Sequence, residues 1–275
     1  MIRGRRAWAL ASTAAVLLAL VGAEVARAGR SAAQDGNDTR GRLDIRSVSQ
    51  GHSGAKVTHT IKTFGRWPSS LLDEQHSNSF LMVLNTDSDP AIERFVFIIT
   101  ARGRLEAGVL TGNGNFLGRT GASRPDRRSL RVTLAKSRLG NPAGYRWQAS
   151  SSYRGSGCGR GCVDRAPNGS GRLRHDLRDP TISFPQPPAP STNTYNLEFT
   201  VAESGGSGLD FWRLDHRNVG TTAWIEVDEG SRPGPRTIPF TDTTDQSEDF
   251  RVVAVDEHGN RAVSRVRRVT SPPRR

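Results

Sequence analysis

The stretch Phe250–Asn260, FRVVAVDEHGN, constrains the fold more than any other part of this chain. Phe250, Val252 and Ala254 alternate with Arg251, Val253 and Val255, so successive side chains point to opposite faces. The run ends in Asp256-Glu257-His258-Gly259-Asn260, residues suited to a tight turn, and a second short strand is expected over residues 261–269. Period-two alternation broken by Gly-Asn turn chemistry predicts the last hairpin of an antiparallel sandwich. On that reading Asp256, Glu257 and His258 sit on a hairpin tip, and turn chemistry accounts for them without catalysis.

The same grammar runs through the rest of the chain. Strands are expected at 43–49, 57–61, 80–84, 95–100, 105–109 and 130–134, each bounded by Gly, Asn, Asp or Pro. Tyr145, Trp147, Ala149 and Tyr153 share one face of a further strand and are expected in a core. A proline-rich seam, from Asp176 to Pro190, separates these from a second set of about seven strands that includes Trp212 and Trp224 as expected core aromatics. The predicted fold class is therefore all-β, with a jelly-roll-like sandwich over residues 43–178 and an immunoglobulin-like sandwich over residues 179–271. Residues 272–275 form a short tail.

The N-terminus carries the marks of an export signal. Arg3, Arg5 and Arg6 precede the uncharged run Ala7–Ala23, and Ala26-Arg27-Ala28 offers a small-x-small cleavage site. A signal peptide is expected over residues 1–28, with secretion to the medium or cell envelope; an uncleaved anchor is the alternative. The polar stretch 29–42 is expected to be a disordered lead-in.

Charge excludes less than it first suggests. The formal net charge of +12 includes four arginines against one glutamate within residues 1–28. The remaining basic residues are nearly all arginine, with only Lys56, Lys62 and Lys136 as lysines, and they are interleaved with acids along the strands. A nucleic-acid surface should instead concentrate its positive charge on one element. No nucleic-acid partner is expected.

Several motifs resemble known modules. SGGSGLDFWRL, Trp224 and FRVVAVDEHGN make residues 180–270 similar to the immunoglobulin-like and fibronectin type III-like modules of bacterial secreted proteins, which implies a spacer or supporting domain. The first half resembles secreted actinobacterial proteins of unassigned function through LDIRSVSQGH, TIKTFGRWP, NTDSD and the segment Cys162-Val-Asp-Arg-Ala-Pro167. Its strand order also resembles the carbohydrate-binding family-nine and DOMON sandwiches. The Asp-Thr-Asp-Gly turn of that family stands here as Asn85-Thr-Asp87-Ser-Asp89-Pro90.

Three candidate sites follow. Asn85, Asp87 and Asp89 recur at alternate positions with Glu93 four further on, which fits either a structural calcium ion or a turn whose side chains cap their own backbone. Trp67 beside Arg66 in a loop is either a sugar-stacking platform or a core aromatic. Cys158 and Cys162 are expected to close a local disulfide in an exported chain. No nucleophile elbow or zinc-protease motif occurs, so no enzyme activity is expected. The expected function is a non-catalytic binding or scaffold protein, with a cell-wall glycan or polymer held by the first sandwich. The alternatives are an accessory protein or hydrolase using Asp73, Asp87, Asp89 and Asp164, and a pure spacer. Nothing in the sequence sets the oligomeric state.

Overall fold

A computed structural model describes residues 31–73, 77–87, 89–243 and 246–270. The signal peptide expected over residues 1–28 and the tail over residues 272–275 lie outside the described residues. The chain is nearly all β, as its alternation predicts, and its hydrophobic side chains divide into two cores, one drawn from residues 43–177 and one from residues 184–269.

The first core is enclosed by eleven strands: β1 (Ser31–Gln34), β2 (Ile45–Ser53), β3 (Lys56–Thr63), β4 (Ser79–Asn85), β5 (Arg94–Ala101), β6 (Arg104–Thr111), β7 (Phe116–Ser123), β8 (Ser129–Ala135), β9 (Gly144–Tyr153), β10 (Cys162–Ala166) and β11 (Leu173–Asp176). They form one antiparallel sheet in the order β1-β2-β3-β8-β7-β6-β5-β4-β9-β10, with β11 also on β9. The sheet turns a corner at β7, whose first half pairs with β6 and whose last three residues, Gly121–Ser123, pair with β8. The two arms then face each other. His59 on β3 meets Trp147 on β9 edge-on, with ring centres 4.6 Å apart. Alternation along β9 puts Tyr145, Trp147 and Ala149 inside and Arg146 outside, as expected.

The two ends of this sheet also approach one another. Ser31 on β1 lies 3.2 Å from His175 on β11, Ser151 on β9 donates to the Leu43 carbonyl, and the Ile45 amide donates to Asp164 on β10. Within the stretch 29–42 expected to be a disordered lead-in, the described residues from Ser31 onward include a paired strand, which corrects that expectation for them. Ser31–Gln34 pairs residue by residue with Ser47–Gln50, and the Asp35 amide donates to the Arg46 carbonyl. A short polar edge strand takes its order from backbone pairing, which hydropathy does not register.

The second core lies between two sheets. One holds β12 (Thr181–Ser183), β13 (Thr194–Ala202) and β16 (Gly234–Thr241). The other holds β15 (Ile225–Gly230), β14 (Leu209–Asn218), β17 (Glu248–Asp256) and β18 (Arg261–Val263), with β19 (Arg267–Val269) extending it beside β17. This is an immunoglobulin-like sandwich. Strand β17 is central, and of its nine residues only Arg251 is not fully buried. Its outer face is covered by charge. Asp215 accepts from Arg213 at 2.6 Å and from Arg251 at 2.9 Å, and Asp249 pairs with Arg217 at 3.2 Å and Arg268 at 2.8 Å. Trp212 is in the core, but Trp224 is not. It is clasped on this outer face between Arg217 and Arg251, 4.5 and 4.3 Å from its ring.

The tip of the β17–β18 hairpin is buried rather than solvated. Asp256 Oδ1 accepts the amides of His258 and Asn260 at 2.9 and 2.7 Å, and Oδ2 accepts the Asn260 side chain at 2.6 Å. The Ser207 hydroxyl stands 2.9 Å from that same oxygen and 3.0 Å from Asp176 Oδ2, so it donates to one carboxylate at a time. Asn260 also reaches the Asp176 carbonyl, while the Asp176 amide donates to His258 Nδ1 at 3.0 Å. Gly205 is required beside them, because a Cβ there would fall 1.4 Å from Asp176 Oδ2. The proline-rich seam is thus braced by a hydrogen-bonded joint between the two sandwiches.

Candidate functional site

The sequence-derived candidates are placed as follows. Trp67 is 2% exposed, packed on Phe80 at 5.5 Å and capped by the Arg124 guanidinium 3.9 Å from its ring. Arg66 points outward into solvent. The platform expectation for this pair is corrected: the Ser69–Leu72 turn that follows Pro68 folds the loop over the sandwich end, which tucks the indole into the core and leaves its neighbour outside. Cys158 and Cys162 are bonded, and their loop lies against the Arg40 carbonyl.

In the acidic turn, carboxylate oxygens of Asp87, Asp89 and Glu93 come within 4.8 Å of one another. Each is also engaged by the backbone. Asn85 donates to the carbonyls of Asp89 and Ala91, Asp87 accepts the Asp89 amide, Asp89 accepts the Ala91 amide, and Glu93 accepts the Thr86 amide. These four side chains brace the turn, leaving Glu93 Oε1 buried without a partner.

A further surface is the outer face of β4–β7. Val96 and Ile98 point into the core, and Phe95, Phe97 and Ile99 point the other way. Leu81 and Val83 on β4 stand opposite Phe97 and Phe95. Gly108 on β6 stands opposite Phe97 on its other side, and the Phe116 ring leans over it, 3.1 Å from where a Cβ would be. Phe97 is 39% and Phe116 63% exposed, and an Arg119–Glu106 ion pair at 3.2 Å borders the patch. The signal was present in the sequence. A run apolar at every position, Phe95–Ile99, reads as a strand covered on both faces, yet here one face is open.

Beside the joint, a chain of rings runs from the first core to the second sandwich. Gln50 donates to the Tyr145 hydroxyl, which lies 3.0 Å from His59 Nε2. His175 lies 2.9 Å from His52 and stacks on His258 at 5.1 Å. Burial lowers His59 to about 3; burial, then the neighbouring His52, lowers His175 to about 2, so both rings stay neutral. None of these imidazoles lies against a carboxylate and nucleophile in the way a catalytic triad would require. A cleft lined by Asp87, Arg146, Arg174, Arg178 and Gly205 opens at the same joint.

No protein-family model matches the chain, and no curated protein matches it. Three solved structures share some of its course. It is 10% identical to a β-1,2-glucanase from Parabacteroides distasonis (TM-score 0.24), covering 90% of this chain and 37% of that one. It is 11% identical to a run of domains from titin (TM-score 0.29), covering 87% and 96%. It is 12% identical to a DUF4785 family protein from Legionella pneumophila (TM-score 0.23), covering 82% and 57%. The chain thus spans little more than a third of the glucanase. Likenesses this distant carry no argument about activity. Among the described residues no helix is long and apolar enough to cross a membrane.

Proposed function

We propose that this chain is an exported, non-catalytic binding protein that holds an extended glycan or wall polymer on the outer face of its first sandwich, with the second sandwich as a braced support. The observation that carries this reading is the exposed pair Phe97 and Phe116 flanking Gly108 on a broad sheet. Flat aromatic surface without an enclosing pocket suits the apolar faces of sugar rings in a long polymer. The export signal read over residues 1–28 supports the setting. The candidate catalytic carboxylates support catalysis less well, since Asp87 and Asp89 share one self-capped turn and Asp164 is buried.

The test is retention of the protein on insoluble peptidoglycan, chitin and cellulose across a salt series. Retention that survives 0.5 M salt and disappears in a Phe97→Ser/Phe116→Ser double variant supports the reading. Retention unchanged in that variant refutes it. A second reading, an anionic polymer in the cleft of Arg146, Arg174 and Arg178, is favoured by the three guanidinium groups there and predicts retention lost in modest salt.

A further inference from the structure

Three groups of acidic side chains in the described residues bring carboxylate oxygens within 4.8 Å of each other. Two are largely accounted for. Asp87, Asp89 and Glu93 brace their own turn, with one oxygen, Glu93 Oε1, buried and unpartnered. In the group Asp176, Glu203 and Asp256, the carboxylates accept from Arg178, Ser207, His258, Asn260 and the amides of Gly205 and Gly206. The third, Asp38, Asp44 and Asp164, is not.

Asp44 ends the loop between β1 and β2 and is only 2% exposed, yet both of its carboxylate oxygens are buried without a hydrogen-bond partner. Asp35, at the other end of that loop, has a second buried and unpartnered oxygen, Oδ2. Asp164 faces them from β10, 3% exposed, and its two oxygens are held by the amides of Ile45 and Arg165. Asp38 completes the group from the solvent side, tied to the Asn168 side chain at 3.0 Å. Among the described residues no arginine or lysine pairs with any of the four. Buried carboxylate oxygens left without donors beside another carboxylate are costly, so Asp44 is short of positive charge.

We propose that Asp35, Asp38, Asp44 and Asp164 bind a calcium ion that staples the β1–β2 loop to the β9–β10 hairpin. The donor set is all oxygen, which selects a hard cation over zinc or copper. Oxygens sharing one calcium at ~2.4 Å lie at most about 4.8 Å apart, against about 4.1 Å for magnesium. The oxygens of Asp38, Asp44 and Asp164 lie within 4.8 Å of one another, close enough to share one calcium. Entry is open on one side, through a cleft bordered by Asp38, Val163, Asn168 and Gly169. The loop it would hold is already committed to the hairpin: the Arg40 carbonyl lies against Cys158, and a Cβ on Gly41 would meet the Tyr153 ring at 2.3 Å.

The test compares melting of the full chain in excess EDTA, in calcium and in magnesium, with calcium affinity measured by calorimetry. Calcium should raise Tm by roughly 5–10 °C at saturation, with a smaller rise in magnesium. Asp44→Asn should lose the calcium shift while melting no lower than wild type in EDTA, because a buried unpaired charge is gone. Should Asp44→Asn fail to fold, the solvent-side Asp38→Asn should fold and bind calcium at least tenfold more weakly. A wild-type protein indifferent to calcium overturns the proposal and leaves a proton shared between Asp44 and Asp164. So does a calcium shift that persists in Asp44→Asn or Asp38→Asn but vanishes in Asp89→Asn, which places the ion on the other turn.

Discussion

Asp256→Ala should loosen the joint between the sandwiches and lower the stability of the second by a large amount. The Asp256 carboxylate is 1% exposed and has four donors within 2.9 Å: the amides of His258 and Asn260, the Asn260 side chain and the Ser207 hydroxyl. A hydrogen bond to a charged group contributes ~1.5–3 kcal/mol, but contributions around one carboxylate are not additive and water reaches part of the emptied turn. Ser207 also keeps Asp176 as an acceptor. A loss of about 4 kcal/mol is expected. Asp256→Asn is the control. It preserves one acceptor oxygen for the two amides and sets an NH2 against the Asn260 side chain, so about 2 kcal/mol is expected. The assay is calorimetry alongside urea unfolding followed by tryptophan fluorescence, with Trp212 reporting the second core and Trp147 the first. At ~4–8 °C per kcal/mol for a domain of this size, Asp256→Ala should lower the second-sandwich transition by more than about 15 °C. A drop under about 4 °C, or equal drops for Ala and Asn, would show that the tip is hydrated and that the joint is not what holds it.

Two pH effects should accompany this. Burial lowers His59 to about 3, so the folded state binds its proton less well than the unfolded chain, and stability falls as pH drops below the unfolded value of about 6.5. At ~1.4 kcal/mol per pH unit, His59→Gln should lose about 2 kcal/mol less than wild type between pH 7 and pH 5, measured by urea unfolding; parallel losses would refute the assignment. Glu248 runs the other way: burial, then Asp242, raises it to about 7, so its folded form holds a proton that the unfolded chain releases above about 4.5, and stability is lost as pH rises through that window. Relative to wild type, Glu248→Gln should gain about 3 kcal/mol on going from pH 4.5 to pH 8, and an offset independent of pH would count against it.

Strand alternation was legible wherever one face is buried. Spacing alone places Tyr145, Trp147 and Ala149 in the core and marks the closing hairpin that starts at Phe250. Hydropathy says nothing about what happens on the other face. That is why Trp224 was expected in the core, when a charged ladder of Arg217 and Arg251 covers it outside. Trp67 was ambiguous for the same reason. The acidic positions divide differently. Asn85, Asp87 and Asp89 stand out because they are adjacent in sequence, and adjacency is what lets them cap their own turn. Asp44 and Asp164 are 120 residues apart and meet only through the pairing of β2 and β10 with their neighbours, so no local pattern could join them. The joint was invisible for a similar reason: Asp256 and Asn260 carry turn chemistry whether or not Asp176 and Ser207 come to meet them.

The meeting of the first sheet's two ends bears on how the protein avoids pairing with other chains. An open sheet exposes two unpaired rows of amides and carbonyls, each a template for another chain. Here Ser31 approaches His175, and Ile45 is hydrogen-bonded to Asp164, so the first edge is turned toward the last. The short strand Ser31–Gln34 lies along β2 like a selvage, finishing a border that would otherwise fray or catch a neighbour. A chain begun at Leu43, where the hydrophobic pattern starts, would retain every buried apolar residue of the first core. It would lose that border, and with it a defence against strand-to-strand aggregation that no measure of core packing records.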